Sequence, residues 1–237
     1  MLSESEIQKI KDEIRKGNSF LTNFTQPTPI STNLSLQEIF HRSNAKFKLW
    51  LRDWFVVFSP ELFIKIEQGN IASFPMKGTI DASIPFAETT ILNDVKEMAE
   101  HATIVDLIRN DLSMVAKNVE VKRYRYVEKI DTNHSELLQL SSEIVGELPR
   151  DYEKNIGDII FKLLPAGSIC GAPKPKTLSI IDDVEAYDRG FYSGICGYFD
   201  GENLESAVMI RFIEQTESGF VFKSGGGITS LSDAEKE

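Results

Sequence analysis

A chain of 237 residues with 41% hydrophobic content is long enough to bury a substantial core, and no Pro/Ser-rich stretch divides it, so one domain over 1–237 is expected. The formal charge of −10, without a long Lys/Arg run, argues against nucleic acid or an anionic membrane as partner and confines any anion site to a local cluster of cations. Cys170 and Cys196 are too few for a disulfide framework or a zinc site, the first residues lack a signal-peptide core, and nothing approaches the roughly 18 apolar residues of a membrane span, so a soluble cytoplasmic protein is the default.

The opening segment carries a capping box, Ser3 with Glu6, then Ile7, Ile10 and Ile14 at helical spacing and Gly17 as a C-cap, which predicts an amphipathic helix. Between Lys46 and Met76 the pattern changes to aromatic and β-branched runs broken at Ser59-Pro60 and at Gln68-Gly69-Asn70, as in antiparallel hairpins. Asn93 or Asp94 can cap a helix with Val95, Met98, Ala102 and Val105 on one face, and helical pattern returns over 135–145, 152–164 and 176–184. Strands follow at 195–199, 206–213 and 220–224, separated by turns at Asp200-Gly201 and Glu217-Ser218-Gly219. Strands that pair with sequence neighbours, with helices grouped between two strand blocks, predict an antiparallel α+β fold.

Five features can carry chemistry. In Phe74-Pro75-Met76-Lys77-Gly78-Thr79 a lysine sits between a rigid proline and a flexible glycine; desolvated at a strand terminus, such an amine becomes a nucleophile, whereas in open solvent it is an ordinary ammonium. Glu61, read as lying on the preceding strand of a hairpin, is expected to bring a carboxyl group close to Lys77. Glu97 and Glu100 are three apart on the central helix and project from one face, which suits a hard divalent cation such as Mg²⁺ or an ordinary solvated surface, and His101 beside them reads as a surface or hydrogen-bonded histidine. Arg211 falls by alternation on the face of Met209 and Ile213, where its guanidinium requires an anionic partner, or else lies on an edge strand with a wet face. Gly225, Gly226 and Gly227 permit close backbone approach to an oxyanion, and Gly167 to Lys174 forms a glycine-flanked loop that opens a helix.

These segments recur in a familiar order: S-P-E at 59–61, P-x-K-G-T at 75–79, K-E-x-A-E-H and I-V-D-L-x-R-N-D within 96–111, P-A-G-S-I-x-G-A-P-K at 165–174, Y-x-G-x-x-G-Y at 192–198, I-R at 210–211 and G-G-G-I at 225–228. The chain thereby resembles the chorismate-utilising enzymes, and among them the component I subunits of aminodeoxychorismate synthase. That resemblance implies an α/β sandwich with chorismate and Mg²⁺ in a cleft between strand and helix layers. It implies Glu97, Glu100 and Glu237 as magnesium carboxylates, and Thr79, Ser168, Tyr192, Arg211 and the backbone of Gly226 and Gly227 as substrate contacts. Lys77 matches the lysine that attacks C2 of chorismate as the C4 hydroxyl leaves, before ammonia adds at C4 and expels it, and Glu61 matches the partner acid. Leu21 occupies the position where water-activating members carry a basic lysine, which disfavours water as the nucleophile. Nothing in the chain resembles a glutamine amidotransferase, so a separate subunit is the implied source of ammonia.

Against the family pattern the chain starts at the second half of its relatives and stops at Glu237, before a further metal-shell glutamate. Gln139 stands where the family often has a histidine, and Cys170 where it has Thr or Ser. Anthranilate synthase component I, in which a small residue replaces the lysine, and a chorismate-binding protein without turnover are the alternatives.

Overall fold

The computed structural model describes residues 4–131 and 136–232, and Ser3 of the expected capping box lies outside them. The first half runs α1 (Glu4–Arg15), β1 (Leu21–Ile30), α2 (Leu36–Arg42), β2 (Phe47–Leu51), β3 (Phe55–Ser59), β4 (Leu62–Glu67), β5 (Asn70–Ser73), β6 (Met76–Asp81), α3 (Ala87–Asn93) and α4 (Val95–Ser113). Then come β7 (Lys117–Asp131), β8 (Glu136–Glu147), α5 (Ile156–Leu163), α6 (Gly167–Cys170), β9 (Gly171–Ala172), α7 (Lys174–Val184), β10 (Ile195–Phe199), β11 (Leu204–Val208), β12 (Phe212–Thr216) and β13 (Gly219–Ile228). The strand pairings are antiparallel, and the fold is α+β as the sequence predicts.

Contacts gather the chain into two compact units. The first holds the segment ending at Glu61, Pro165–Cys196 and the segment from Ala207 on; the second holds Leu62–Leu164 and Gly197–Ser206.

In the first unit the sheet order is β2-β3-β12-β13-β1-β9. Ile7, Ile10 and Ile14 of α1 and Ile180 and Val184 of α7 pack with Phe24 of β1 and Ile228 of β13, so the helical stripe read from the sequence is the buried one. A second cluster joins Phe55, Val57, Tyr192, Met209 and Phe212. The strand expected over 220–224 continues through all three glycines to Ile228 as a rung-by-rung partner of β1. A Cβ at Gly225 would stand 2.7 Å from the Phe24 carbonyl oxygen, so glycine is needed there for close strand packing.

In the second unit β4 and β5 form a hairpin at Gln68-Gly69, where both residues have positive φ, and β8 is the central strand. β5 and β6 pair with successive stretches of one edge of β8, and β7 pairs along the other. α4 packs on β6, β7 and β8 through Ile104, Val105, Ile108 and Leu112.

The helix expected over 135–145 is instead this central strand, with Ser135 outside the described residues. Leu138, Leu140, Ser142, Ile144 and Gly146 are buried in alternation, with Ser141 the one buried residue between them, a period of two that neighbours on both edges enforce over local propensity. The strand expected over 206–213 is broken: β11 ends at Val208, and β12 starts at Phe212 after Arg211, whose φ is 54°. No helix of the described residues is long and apolar enough to cross a membrane.

Candidate functional site

In the second unit buried Pro75 leads into β6, and Gly78, with φ of 81°, produces a bulge: Lys77 faces Leu140 but Thr79 faces Gln139. Two residues oppose one across such a bulge, which re-aims the side chain before it. Lys77 is 17% exposed, and its Nζ lies 3.6 Å from Glu100 Oε2. Glu100 is nearly buried and also meets Lys96 at 3.9 Å. Asp94 caps α4 by accepting from the Glu97 N–H at 2.9 Å.

The first turns of α4 reverse the expected pattern. Val95 and Met98 are exposed and so is Ala102, whereas Glu100 and His101 are buried on the face that continues through Ile104 and Val105. A helix that turns acid and imidazole inward while leaving valine and methionine in solvent gives up apolar burial at the point where it meets β6. A Cβ on Gly78 would stand 3.3 Å from Glu97 Oε2, so the glycine also leaves the room in which that carboxylate approaches the strand.

His101 is fully buried, with Nε2 2.6 Å from Ser142 Oγ, which also accepts the Arg125 backbone N–H at 2.9 Å. Burial first, then the nearby Arg125 and Lys77 cations, lower its pKa from 6.5 to about 4, so the ring is neutral at neutral pH. Its Nδ1 and the Nε of Arg125 are buried without hydrogen-bond partners. Thr79 is exposed on β6.

Glu97 and Glu100 offer the oxygen donors a hard divalent ion takes, alongside water and substrate oxygens. Among the described residues no third His, Cys, Asp or Glu completes a cluster with them, and Glu237 lies outside those residues. Two carboxylates are the oxygen donors that would suit Mg²⁺ held partly by water and by an anionic substrate, although Glu100 already lies beside Lys77 and Lys96.

The first unit carries the rest. Glu61 is not on a strand: it sits in the turn between β3 and β4, where its N–H donates to Ser59 Oγ at 3.1 Å and its carbonyl accepts from Val208 at 3.1 Å. The strand that follows it pairs with β5 and β11, and β6 pairs with β8, so Glu61 and Lys77 do not belong to one hairpin. Ser168 is half-buried on the short α6, and Gly226 and Gly227 face Phe24 and Asn23. Tyr192 is 4% exposed in the aromatic cluster, and burial pushes its phenol up. Arg211 is exposed rather than aimed at the face of Met209, because its left-handed backbone interrupts the alternation that prediction assumed.

Two residues of this unit escape a motif reading. Glu185 and Arg189 form a buried ion pair at 2.6 Å, signalled in sequence only by acid-before-base spacing of four residues.

Residues 4–237 match the family model for chorismate binding enzymes. An uncharacterized PabA-like protein of Haemophilus influenzae is 56% identical over 96% of this chain and 70% of its own length. Anthranilate synthase component 1 of Aquifex aeolicus is 35% identical over 76% of this chain and 37% of its own length. Among solved structures, anthranilate synthase component I from Streptococcus pneumoniae superposes with a TM-score of 0.84 at 26% identity, covering 99% of this chain and 54% of that one. The menaquinone-specific isochorismate synthase of Escherichia coli shares the fold at a TM-score of 0.81 and 17% identity, over 98% of this chain and 56% of its own. The chain thus spans about half the length of those two structures. By the match to its family model over residues 4–237, the chain belongs to the chorismate binding enzymes.

Proposed function

We propose that the chain is the chorismate-aminating component of an aminodeoxychorismate synthase, converting chorismate and ammonia to 4-amino-4-deoxychorismate on the route to 4-aminobenzoate and folate. The observation that carries this reading is Lys77, a mostly buried lysine on a glycine-bulged strand beside Glu100. A surface lysine needs neither the bulge nor the inward carboxylate.

In the proposed reaction Lys77, once it has released a proton, forms a bond from Nζ to C2 of chorismate. The ring double bonds shift and the C4 hydroxyl departs as water, with its proton supplied by Glu61. Ammonia then adds at C4, the double bonds shift back, and the bond to Lys77 breaks, so the balance is chorismate plus ammonia to product plus water. Glu97 and Glu100 would hold Mg²⁺, which supplies positive charge to the ring carboxylate. His101, next to Glu100 in the chain, is neutral and adds no competing cation there. Thr79, Ser168, Tyr192, Arg211 and the Gly226-Gly227 backbone are the proposed substrate contacts. Ammonia is supplied by a glutamine amidotransferase subunit. The family membership and the PabA-like relatives support this reading.

The 35% identity to an anthranilate synthase component 1 supports a second reading in which ammonia adds directly and pyruvate leaves. Product analysis separates the two. Chorismate, Mg²⁺ and an ammonium salt should yield 4-amino-4-deoxychorismate with no pyruvate; fluorescent anthranilate with equimolar pyruvate would overturn the proposal in favour of the second reading.

A further inference from the structure

Arg189 lies between α7 and Tyr192 with its side chain 15% exposed, and its five N–H donors match five acceptor contacts. Nε donates to Glu185 Oε2 at 2.7 Å and Nη2 to Glu185 Oε1 at 2.6 Å. The other three bonds reach the Ile169 carbonyl at 2.9 Å, Ser193 Oγ at 3.3 Å and the Asn23 carbonyl at 2.9 Å.

The partners of Glu185 show what the pair accomplishes. β9 runs beside β1 only at Leu21 and Thr22, and beyond it the Asn23 carbonyl and Thr25 amide of β1 point to the same edge without a neighbouring strand. Arg189 donates to the first, and Glu185 Oε1 accepts from the second at 2.7 Å. One ion pair thus stands in for the missing strand. Glu185 also accepts from Thr25 Oγ1 at 2.9 Å, and the Arg189 carbonyl accepts from Lys223 Nζ at 3.0 Å. Lys223 is itself paired with Glu214 at 2.8 Å, so the network has no loose end there.

Each of the three partners of Arg189 other than Glu185 adjoins a proposed substrate contact. Ile169 follows Ser168, Ser193 follows Tyr192, and Asn23 faces Gly227. We propose that Arg189 is a positioning residue that fixes the Ser168 turn, the Tyr192-Ser193 turn and the Asn23-Gly227 rung around one guanidinium, so that their polar groups converge on the carboxylates of chorismate. This rests on the proposed chorismate site. Lysine cannot substitute, because an ammonium has no planar fork to reach both Glu185 oxygens and two separate carbonyls.

The test is calorimetric titration of the full chain and of Arg189→Ala with chorismate and Mg²⁺, with and without added guanidinium ion. The dissociation constant should rise by about tenfold or more in Arg189→Ala, and guanidinium, but not potassium, should restore it. Unchanged affinity, or a loss that guanidinium does not restore in a variant with native circular dichroism, overturns the inference. Where Arg189→Ala does not fold, Arg189→Lys takes its place and is read by amide hydrogen exchange. Joint loss of protection in Ile169–Ala172, Ser193–Gly194 and Thr25 with β12–β13 unaffected supports the tie, and unchanged protection overturns it. If the unaltered chain does not bind chorismate, the proposed function falls, and the inference is decided by that exchange measurement alone.

Discussion

The two units handle buried charge in opposite ways. In the first, Arg189, Glu185, Lys223 and Glu214 close into a network in which the guanidinium donors and the lysine are engaged. In the second, Lys77, Glu100, His101 and Arg125 are brought together on α4 and the bulged strands, and His101 Nδ1 and Arg125 Nε are left buried without hydrogen-bond partners. A closed network holds backbone in place; buried groups with unused capacity are the common condition of a site whose remaining partner is a ligand. The comparison separates a network that holds backbone in place from the cluster around the proposed nucleophile.

The largest effects should come from the second unit and fall on activity. Glu100→Gln is expected to lower turnover by about 10³-fold and to raise the Mg²⁺ requirement, with a smaller loss of stability than Glu185→Gln, because its contacts to Lys77 and Lys96 at 3.6 and 3.9 Å are longer than the 2.6 Å pair of Glu185 and Arg189. A comparable loss of fold would erase the distinction between the units. Glu185→Gln should do the reverse in the first unit: it leaves a buried guanidinium half-compensated and should cost about 3 kcal/mol in denaturant titrations.

His101 sharpens the comparison through pH. Its pKa is about 4 in the fold and near 6.5 in the unfolded chain, so between those values the unfolded state binds more protons. Stability from this group is complete above about pH 6.5 and falls as pH drops toward 4, by about 2 kcal/mol at pH 5. His101→Gln should flatten that slope in urea midpoints taken at the two pH values; an unchanged slope would assign the effect to other groups. The smallest effect should be Arg109→Ala. Its pair with Asp106 is exposed, and its loss should shift stability by about 0.5 kcal/mol or less.

What the sequence revealed follows the range of the interactions involved. Lys77, Gly78, Glu97 and Glu100 stood out as candidates because each sits in a short local pattern, and the α1 stripe was legible because helix periodicity is local. β8 was not, since Leu137, Leu138 and Leu140 fit a helix until β5, β6 and β7 pair along the segment. Arg211 was misplaced because strand alternation assumes an unbroken strand, and one residue at positive φ resets it. Arg189 was invisible for the same reason as β8: two of the carbonyls it holds lie 20 and 166 residues away in the chain.

The most direct test of the central claim is intact-protein mass spectrometry after mixing the chain with chorismate and Mg²⁺ in the absence of ammonia, beside Lys77→Ala. The account predicts an added mass equal to chorismate less water on the unaltered chain, absent from Lys77→Ala and discharged when ammonium is added. An unaltered chain that binds chorismate yet carries no adduct, or an adduct that persists in Lys77→Ala, would contradict the role assigned to Lys77.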